Sequence, residues 1–140
     1  NEKQRLIYEI VLNCNKMIIE EIKPGVTLNQ LQKKTVDYLA DKCLQAGLIR
    51  EREEIRNYYF HRISHHIGLD THDGPDRSTV GDWPLQAGNI ISDEPGLYFK
   101  ELGIGVRIED DILVTEEGSY NLSGNIVKEI NEIERAMLYK

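Results

Sequence analysis

Three short stretches decide how this sequence of 140 residues is interpreted: FHRISHHIGLDTHD at 60–73, ISDEPGLYF at 91–99 and GVRIEDDILVT at 105–115. All four histidines of the protein lie in the first stretch. The second and third stretches each carry one glutamate, Glu94 or Glu109, within an otherwise apolar run that resembles a strand. Imidazole and carboxylate together on a β scaffold are typical of a transition-metal site. We therefore predict a metal site that the rest of the chain supports.

The spacing of the histidines leaves two backbone conformations to weigh. His61, His65 and His72 would line one face of an α-helix, as in helical zinc motifs, but such a motif needs a glutamate where Arg62 stands. Gly68 also disfavours a helix. In an extended segment the first two histidines share a face, and His72 joins them only if the chain bends at Gly68 or at residues 70–71. We favour the strand, and we interpret the fourth histidine, His66, as a structural bystander.

The third stretch alternates as a strand with one buried face should. Its apolar face carries Val106, Ile108, Ile112 and Val114, and its polar face carries Arg107, Glu109 and Asp111. Glu109 has a simple alternative role as the ion-pair partner of Arg107, and Glu94 as a capping or ion-pairing carboxylate before a Pro-Gly turn. An acid among strand hydrophobics is costly to bury unless it is paired or bound to a metal. Two such acids beside a histidine cluster favour the metal.

The flanking regions predict helices and a loop. Apolar residues at steps of three and four predict an amphipathic helix over 2–22, and Thr27 with Gln30 forms a capping box that opens a second helix ending near Gly47. We interpret residues 50–57 as a charged connection and 74–88 as a loop, and expect a closing helix with Ile130, Ile133 and Met137 on one side. The fold class is α+β, with the first two helices on one side of an antiparallel sheet.

Composition limits the remaining possibilities. The length fits a single domain over residues 1–140. A balance of 24 acidic to 17 basic residues, net charge −7, makes nucleic acid or an anionic membrane surface an unlikely partner, and the apolar runs are too short to cross a membrane. Cys14 and Cys43 fall in helical patterns, which favours buried thiols in a reducing cytosol over a disulfide. We predict a cytoplasmic protein.

The ordered blocks HxxxHxxGLDxHD at 61–73, DEPGLY at 93–98 and RIEDD at 107–111 resemble those of the creatinase-like, or pita-bread, metallopeptidases, and most of all aminopeptidase P and prolidase. The resemblance also covers the helix pair and the closing helix. It implies a pita-bread fold, in which a curved antiparallel sheet carries helices on its outer face. It also implies an Xaa-Pro aminopeptidase, which hydrolyses the N-terminal Xaa-Pro bond with hydroxide activated by a dinuclear metal centre.

The resemblance implies a ligand set and its metals. His65 matches a histidine ligand, Glu94 a carboxylate ligand that accepts a proton from the attacking water, and Glu109 the carboxylate that bridges both metals. The cofactors would be two divalent ions, with Mn2+ expected and Co2+ or Zn2+ as alternatives. Oxygen-rich ligation with one imidazole suits manganese better than a metal that prefers thiolate.

The resemblance also assigns residues to the substrate, a peptide with proline in second position. His61 and His72 match histidines that contact the substrate and stabilise the tetrahedral intermediate, and Arg107 matches a residue that orients a ligand carboxylate. Phe60 and Arg62 depart from the family pattern, in which proline and glycine are common at these positions.

Two aspartate ligands of the family lie in a D-x-G…D-x-T region upstream of the helix pair, which these 140 residues do not include. We therefore expect the chain to be the C-terminal half of a catalytic domain. Alone it should be inactive, hold metal weakly, and self-associate through an exposed sheet edge as a homo-oligomer. Two alternatives stay open: a prolidase-like or creatinase-like enzyme, and a non-catalytic pita-bread module that binds peptides or proteins.

Overall fold

The computed structural model describes residues 1–70, 72–73 and 80–138. Helix α1 spans Glu2–Glu21, and its predicted apolar stripe is buried at Ile7, Val11, Cys14 and Ile18. Helix α2 spans Leu28–Gln45 and begins at the predicted capping box. It ends before Gly47, whose φ of 67° is the left-handed conformation that glycine adopts easily after a helix. Both helices are therefore as the sequence predicts.

Five strands follow in the described part of the chain. They are β1 at Ile90–Asp93, β2 at Gly96–Phe99, β3 at Ile104–Arg107, β4 at Asp110–Val114 and β5 at Ser119–Asn121. Strands β1, β4 and β5 form an antiparallel sheet in the order β1-β4-β5, and β2 pairs antiparallel with β3. A third helix, α3, closes the described chain at Ile130–Leu138.

Strands β1 to β4 form one long hairpin with an interruption in each arm. A 3-10 turn, Lys100–Leu102, connects β2 to β3, and residues 94–95 and 108–109 separate β1 from β2 and β3 from β4. Asp93 pairs with Asp110 before the interruption and Gly96 with Arg107 after it, so the register is the same on both sides. The Ile108 N–H donates to the Pro95 carbonyl at 3.2 Å, which connects the two arms across the gap.

One hydrophobic core joins the helices to the hairpin. Helix α1 packs against both helix α2 and the strands, and the buried side chains of the hairpin, among them Ile91, Leu97, Phe99 and Ile112, lie in the same cluster as those of α1. Burial of an aliphatic side chain of this size contributes about 1.5–3 kcal/mol. The helices thus fix one face of the hairpin and leave the other face for polar side chains.

The predicted strand around His65 is extended and pairs with β1, although it forms isolated bridges and no regular strand. Backbone hydrogen bonds join Ser92 N–H to His65 C=O at 2.9 Å, Ile67 N–H to Ile90 C=O at 3.0 Å, and Glu94 N–H to the Ile63 carbonyl at 2.9 Å. This segment therefore runs along the edge of β1 opposite to β4, and the helical zinc motif is excluded.

Three sequence interpretations change in detail. The alternation predicted for 104–115 is present, but the strand is interrupted at 108–109. The charged connection at 50–57 contains a 3-10 helix, Arg52–Asn57, because Ile55 is drawn into the core. Of the loop predicted at 74–88, residues 74–79 lie outside the described residues, and the rest includes a 3-10 turn at Val80–Asp82. Among the helices of the described chain, none is long and apolar enough to cross a membrane.

Candidate metal centre

His65 is oriented by its neighbours so that one ring nitrogen is available as a ligand. Its Nδ1 lies 3.0 Å from the His66 carbonyl, which can only accept a hydrogen bond, so Nδ1 carries the proton. Nε2 then has a free lone pair, and it lies 3.4 Å from Glu94 Oε1. A histidine that binds a metal usually donates a hydrogen bond from one ring nitrogen, often to a backbone carbonyl, and binds the metal with the lone pair of the other.

The two glutamates face each other across the interruption of the hairpin. Glu94 directly follows β1 and Glu109 directly precedes β4. Because the register continues unchanged through the gap, Glu94 stands opposite Glu109. Like charges directly opposite in a sheet are destabilising. Burial raises the pKa of Glu109 above its usual value, and the charge of Glu94 raises it further.

The structure brings one donor atom from each of His65, Glu94 and Glu109 within 4.8 Å of one another. Ligand bonds of about 2.0–2.2 Å place two donors of one ion at most about 4.4 Å apart, so a single divalent cation fits with small side-chain adjustments. The cation would also remove the repulsion between the carboxylates. The donor set, one imidazole with two carboxylates, therefore fits a divalent metal.

Ser92 links the histidine to the first glutamate. Its hydroxyl accepts a hydrogen bond from the His65 N–H at 3.0 Å and donates one to Glu94 Oε1 at 3.1 Å. Ser92 is buried, so this link is shielded from water. It fixes the direction of the Glu94 carboxylate relative to the histidine.

Arg107 contacts Glu94, whereas the sequence analysis considered Glu109 as its ion-pair partner. Its Nη1 lies 3.6 Å from Glu94 Oε2, and its Nε donates to the Tyr98 hydroxyl at 2.8 Å. The same hydroxyl lies 3.0 Å from Nε2 of His61, whose Nδ1 donates to the Arg62 carbonyl at 2.8 Å. The tyrosine hydroxyl therefore donates to His61 and accepts from Arg107. Two hydrogen bonds and an ion pair thus connect His61 to the Glu94 carboxylate.

The chain bends as His72 requires, and the ring of His72 packs edge-on against that of His65 with centroids 4.6 Å apart. Gly68 allows this bend, because a Cβ there would lie 1.6 Å from an oxygen of Asp73. His66 bridges through its backbone to Asp73 and Ile91, and burial lowers its pKa. The structure thus places His61, His65 and His72 at one site and leaves His66 in a backbone role.

Sequence reasoning missed two residues of this site. Tyr98 was visible only as a member of the DEPGLY block, and Ser92 only as a polar residue in a strand. Strand parity could have indicated Ser92, because it lies two residues before Glu94 and shares its face. The contact between Tyr98 and Arg107 depends on the pairing of β2 with β3, which no local pattern specifies.

Comparison with known proteins agrees with this geometry. The model of metallopeptidase family M24 matches residues 1–116. The chain is 39% identical to the mitochondrial intermediate cleaving peptidase 55 of Arabidopsis thaliana over 140 residues, and 41% identical to an Xaa-Pro dipeptidase of Pyrococcus furiosus over 123 residues. These matches cover 94% and 88% of this chain but 28% and 32% of those proteins.

A solved structure supports the fold independently. Aminopeptidase P from Escherichia coli, in complex with the inhibitor Pro-Leu, superposes with a TM-score of 0.90 and is 31% identical. The match covers 99% of this chain and 35% of that one, so the sequence spans about a third of its relatives. It confirms the predicted α+β, pita-bread fold class.

We predict that Glu109→Gln has opposite effects with and without metal. Without metal the substitution removes a like charge opposite Glu94 and should raise the free energy of unfolding by up to about 1 kcal/mol. With manganese, affinity should fall at least about tenfold, since even residues that only support ligands typically contribute 10–100-fold. Titration calorimetry and urea unfolding measure the two effects.

The matched control for this prediction is Glu116→Gln, which neutralises an exposed acid in the turn between β4 and β5. It should change neither quantity. Equal manganese affinity in the Glu109→Gln and Glu116→Gln proteins would contradict the assignment of Glu109 as a ligand.

Proposed function

The chain belongs to metallopeptidase family M24, and on that basis we propose that the protein is a metal-dependent Xaa-Pro aminopeptidase. The observation that carries the proposal is the convergence of His65 with the opposed carboxylates of Glu94 and Glu109. A binding module would have no need to keep two carboxylates face to face. Relatives named as Xaa-Pro aminopeptidases support the choice of substrate class.

In this proposal, His65, Glu94 and Glu109 hold divalent metal, with Mn2+ the expected ion and Co2+ or Zn2+ as alternatives. Bound metal of this kind lowers the pKa of a water molecule and polarises the scissile carbonyl. Glu94 takes up the proton of the attacking water at a carboxylate oxygen. Its oxygens are already fixed by Ser92 and Arg107, so the acceptor is preorganised.

His61 and His72 act on the substrate. The Tyr98 hydroxyl donates to Nε2 of His61, and Arg107 in turn donates to that hydroxyl, so the imidazole is held in one orientation beside the metal-binding residues. His72 lies exposed against the ring of His65, where it can reach a peptide bound at the metal. An imidazole N–H can stabilise negative charge on the tetrahedral intermediate. To do so, His61 would exchange its hydrogen bond to Tyr98 or to the Arg62 carbonyl for one to the substrate, since both of its ring nitrogens are engaged here. Arg107 orients the Glu94 carboxylate.

An Xaa-Pro dipeptidase, or prolidase, is the second candidate. It is favoured by the 41% identity to the Pyrococcus furiosus Xaa-Pro dipeptidase. The two activities differ in substrate length, because a dipeptidase cleaves Xaa-Pro itself and an aminopeptidase cleaves longer peptides with proline second. A direct comparison of an Xaa-Pro dipeptide with an Xaa-Pro-Yaa tripeptide separates them.

The proposal extends to the cell compartment and to self-association. Cys14 and Cys43 are free and buried, and burial raises the pKa of Cys43 to about 12, so this thiol is unreactive. Unpaired cysteines are usual in a reducing cytoplasm, which is the compartment we propose. We propose a homo-oligomer, in which a second copy would cover large apolar side chains that the C-terminal part of the described chain exposes. They are Tyr120, Leu122, Ile126, Val127, Met137 and Leu138.

Two substitutions in the full-length protein test the assigned roles. Glu94→Gln should lower turnover at least about 100-fold, the usual scale for loss of a general base, and should also weaken metal binding. His72→Ala should lower turnover while metal content stays at the wild-type level, because His72 is assigned to the substrate. Turnover with a Xaa-Pro-Yaa peptide and metal analysis of the same samples provide the measurements. Loss of metal in the His72→Ala protein would contradict this assignment and would indicate that His72 binds the metal and His65 the substrate.

We further predict that residues 1–140 alone show no peptidase activity and bind manganese weakly. One imidazole and two carboxylates are too few donors for two divalent ions, each of which takes about six ligands. The remaining ligands would come from the longer polypeptide. Titration calorimetry with manganese and an Xaa-Pro peptide assay, run beside the full-length protein, test this. Tight binding of two ions by the 140 residues would contradict it.

A further inference from the structure

A second pair of carboxylates lies directly behind the two glutamates. Asp93 and Asp110 are partners in the last register position of β1 and β4, and their exposed fractions are 0% and 1%. Each is the chain neighbour of a metal-binding glutamate. Because successive side chains of a strand point to opposite faces, the aspartates point away from the metal side, towards α1.

Three residues outside the hairpin hold this buried pair. The Asn15 side chain of α1, itself buried, donates from Nδ2 to Asp93 Oδ2 at 2.9 Å. Lys128 donates from Nζ to Asp110 Oδ1 at 2.7 Å, and the Ser123 hydroxyl donates to the same oxygen at 2.5 Å. The second oxygen of each aspartate has no hydrogen-bond partner among the described residues, so these contacts provide most of the compensation.

Helix α1 also holds the segment that carries Lys128. The Tyr8 hydroxyl donates to the Lys128 carbonyl at 2.8 Å, and Lys16 forms an ion pair with Glu129. Helix α1 therefore contacts Asp93 directly through Asn15 and contacts Asp110 indirectly, through the segment that carries Lys128. A shift of α1 along the sheet would disturb both aspartates together.

We propose that Asn15 and Lys128 are positioning residues for the metal-binding carboxylates. They fix the Asp93–Asp110 pair on the reverse face of the hairpin, and the pair fixes the separation of Glu94 and Glu109, one residue further along each arm. The inference rests on the proposed metallopeptidase function. Loss of Asn15 removes the hydrogen bond to the buried Asp93, and loss of Lys128 removes the cation beside the buried Asp110. The hairpin relieves either loss by spreading its arms where the glutamates stand.

The test measures manganese affinity of the full-length protein by titration calorimetry. Asn15→Leu keeps the branched shape and the number of heavy atoms of the side chain and removes the donor, and Lys128→Met keeps most of the apolar stem and removes the charge. Each should weaken manganese binding about 10–100-fold, the scale typical of groups that support metal ligands. The exchange variant, Asn15→Asp with Asp93→Asn, restores an amide–carboxylate pair in reverse direction and should recover affinity to within about threefold of wild type.

Two controls separate positioning from general destabilisation. Val114→Ala removes buried apolar volume at the far end of β4 and should lower the melting temperature without changing manganese affinity. Lys33→Met removes an exposed ion pair on α2, outside the segment that carries Lys128, and should also leave affinity unchanged. Should the Asn15→Leu protein fail to fold, Lys128→Met and the exchange variant decide the question, because both keep the buried packing.

Unchanged manganese affinity in a folded Asn15→Leu or Lys128→Met protein would overturn the inference while leaving the proposed function intact. So would an equal loss of affinity in the Val114→Ala protein. A wild-type protein that binds none of Mn2+, Co2+ and Zn2+ would remove the proposed function, and this inference with it.

Discussion

Two glutamates that face each other across one interrupted hairpin impose the constraint on which the rest of the site depends. Glu94 and Glu109 are opposite in register, and repulsion between such groups costs up to about 1 kcal/mol in an open sheet. Arg107 and the Ser92 hydroxyl offset part of this cost at Glu94. A divalent cation held with Nε2 of His65 offsets it for both carboxylates, so the geometry is suited to binding metal.

The register of the hairpin determines which acids lie beside Nε2 of His65. Residues 93 and 94, like 109 and 110, are chain neighbours that point to opposite faces, so a slip by one residue would exchange glutamate for aspartate at the site. Buried Ile91 and Ile112, which are register partners, pack in the core that α1 covers and prevent that slip. The apolar packing of the hairpin on α1 thus determines which acidic side chains lie on the opposite face of the hairpin.

The sequence predicts much of this arrangement where the signal is local. Helical periodicity and the capping box at Thr27 correctly predict both helices, and the alternation over 104–115 correctly predicts which face of the strand is polar. It does not predict the interruption at 108–109 or the burial of Asp110, which shares the apolar face. These depend on pairing between distant segments, as does the contact from Asn15 to Asp93. A polar residue within a helical stripe gives no sign of the strand residue that it will contact.

The most direct test of the central claim is anomalous diffraction from crystals of the protein grown with manganese. The account predicts a manganese peak between Glu94 and Glu109, in contact with both carboxylates and with Nε2 of His65. It also predicts that the opposed register of the two glutamates is unchanged. Manganese bound elsewhere, or glutamates turned away from each other with no metal between them, would contradict the account.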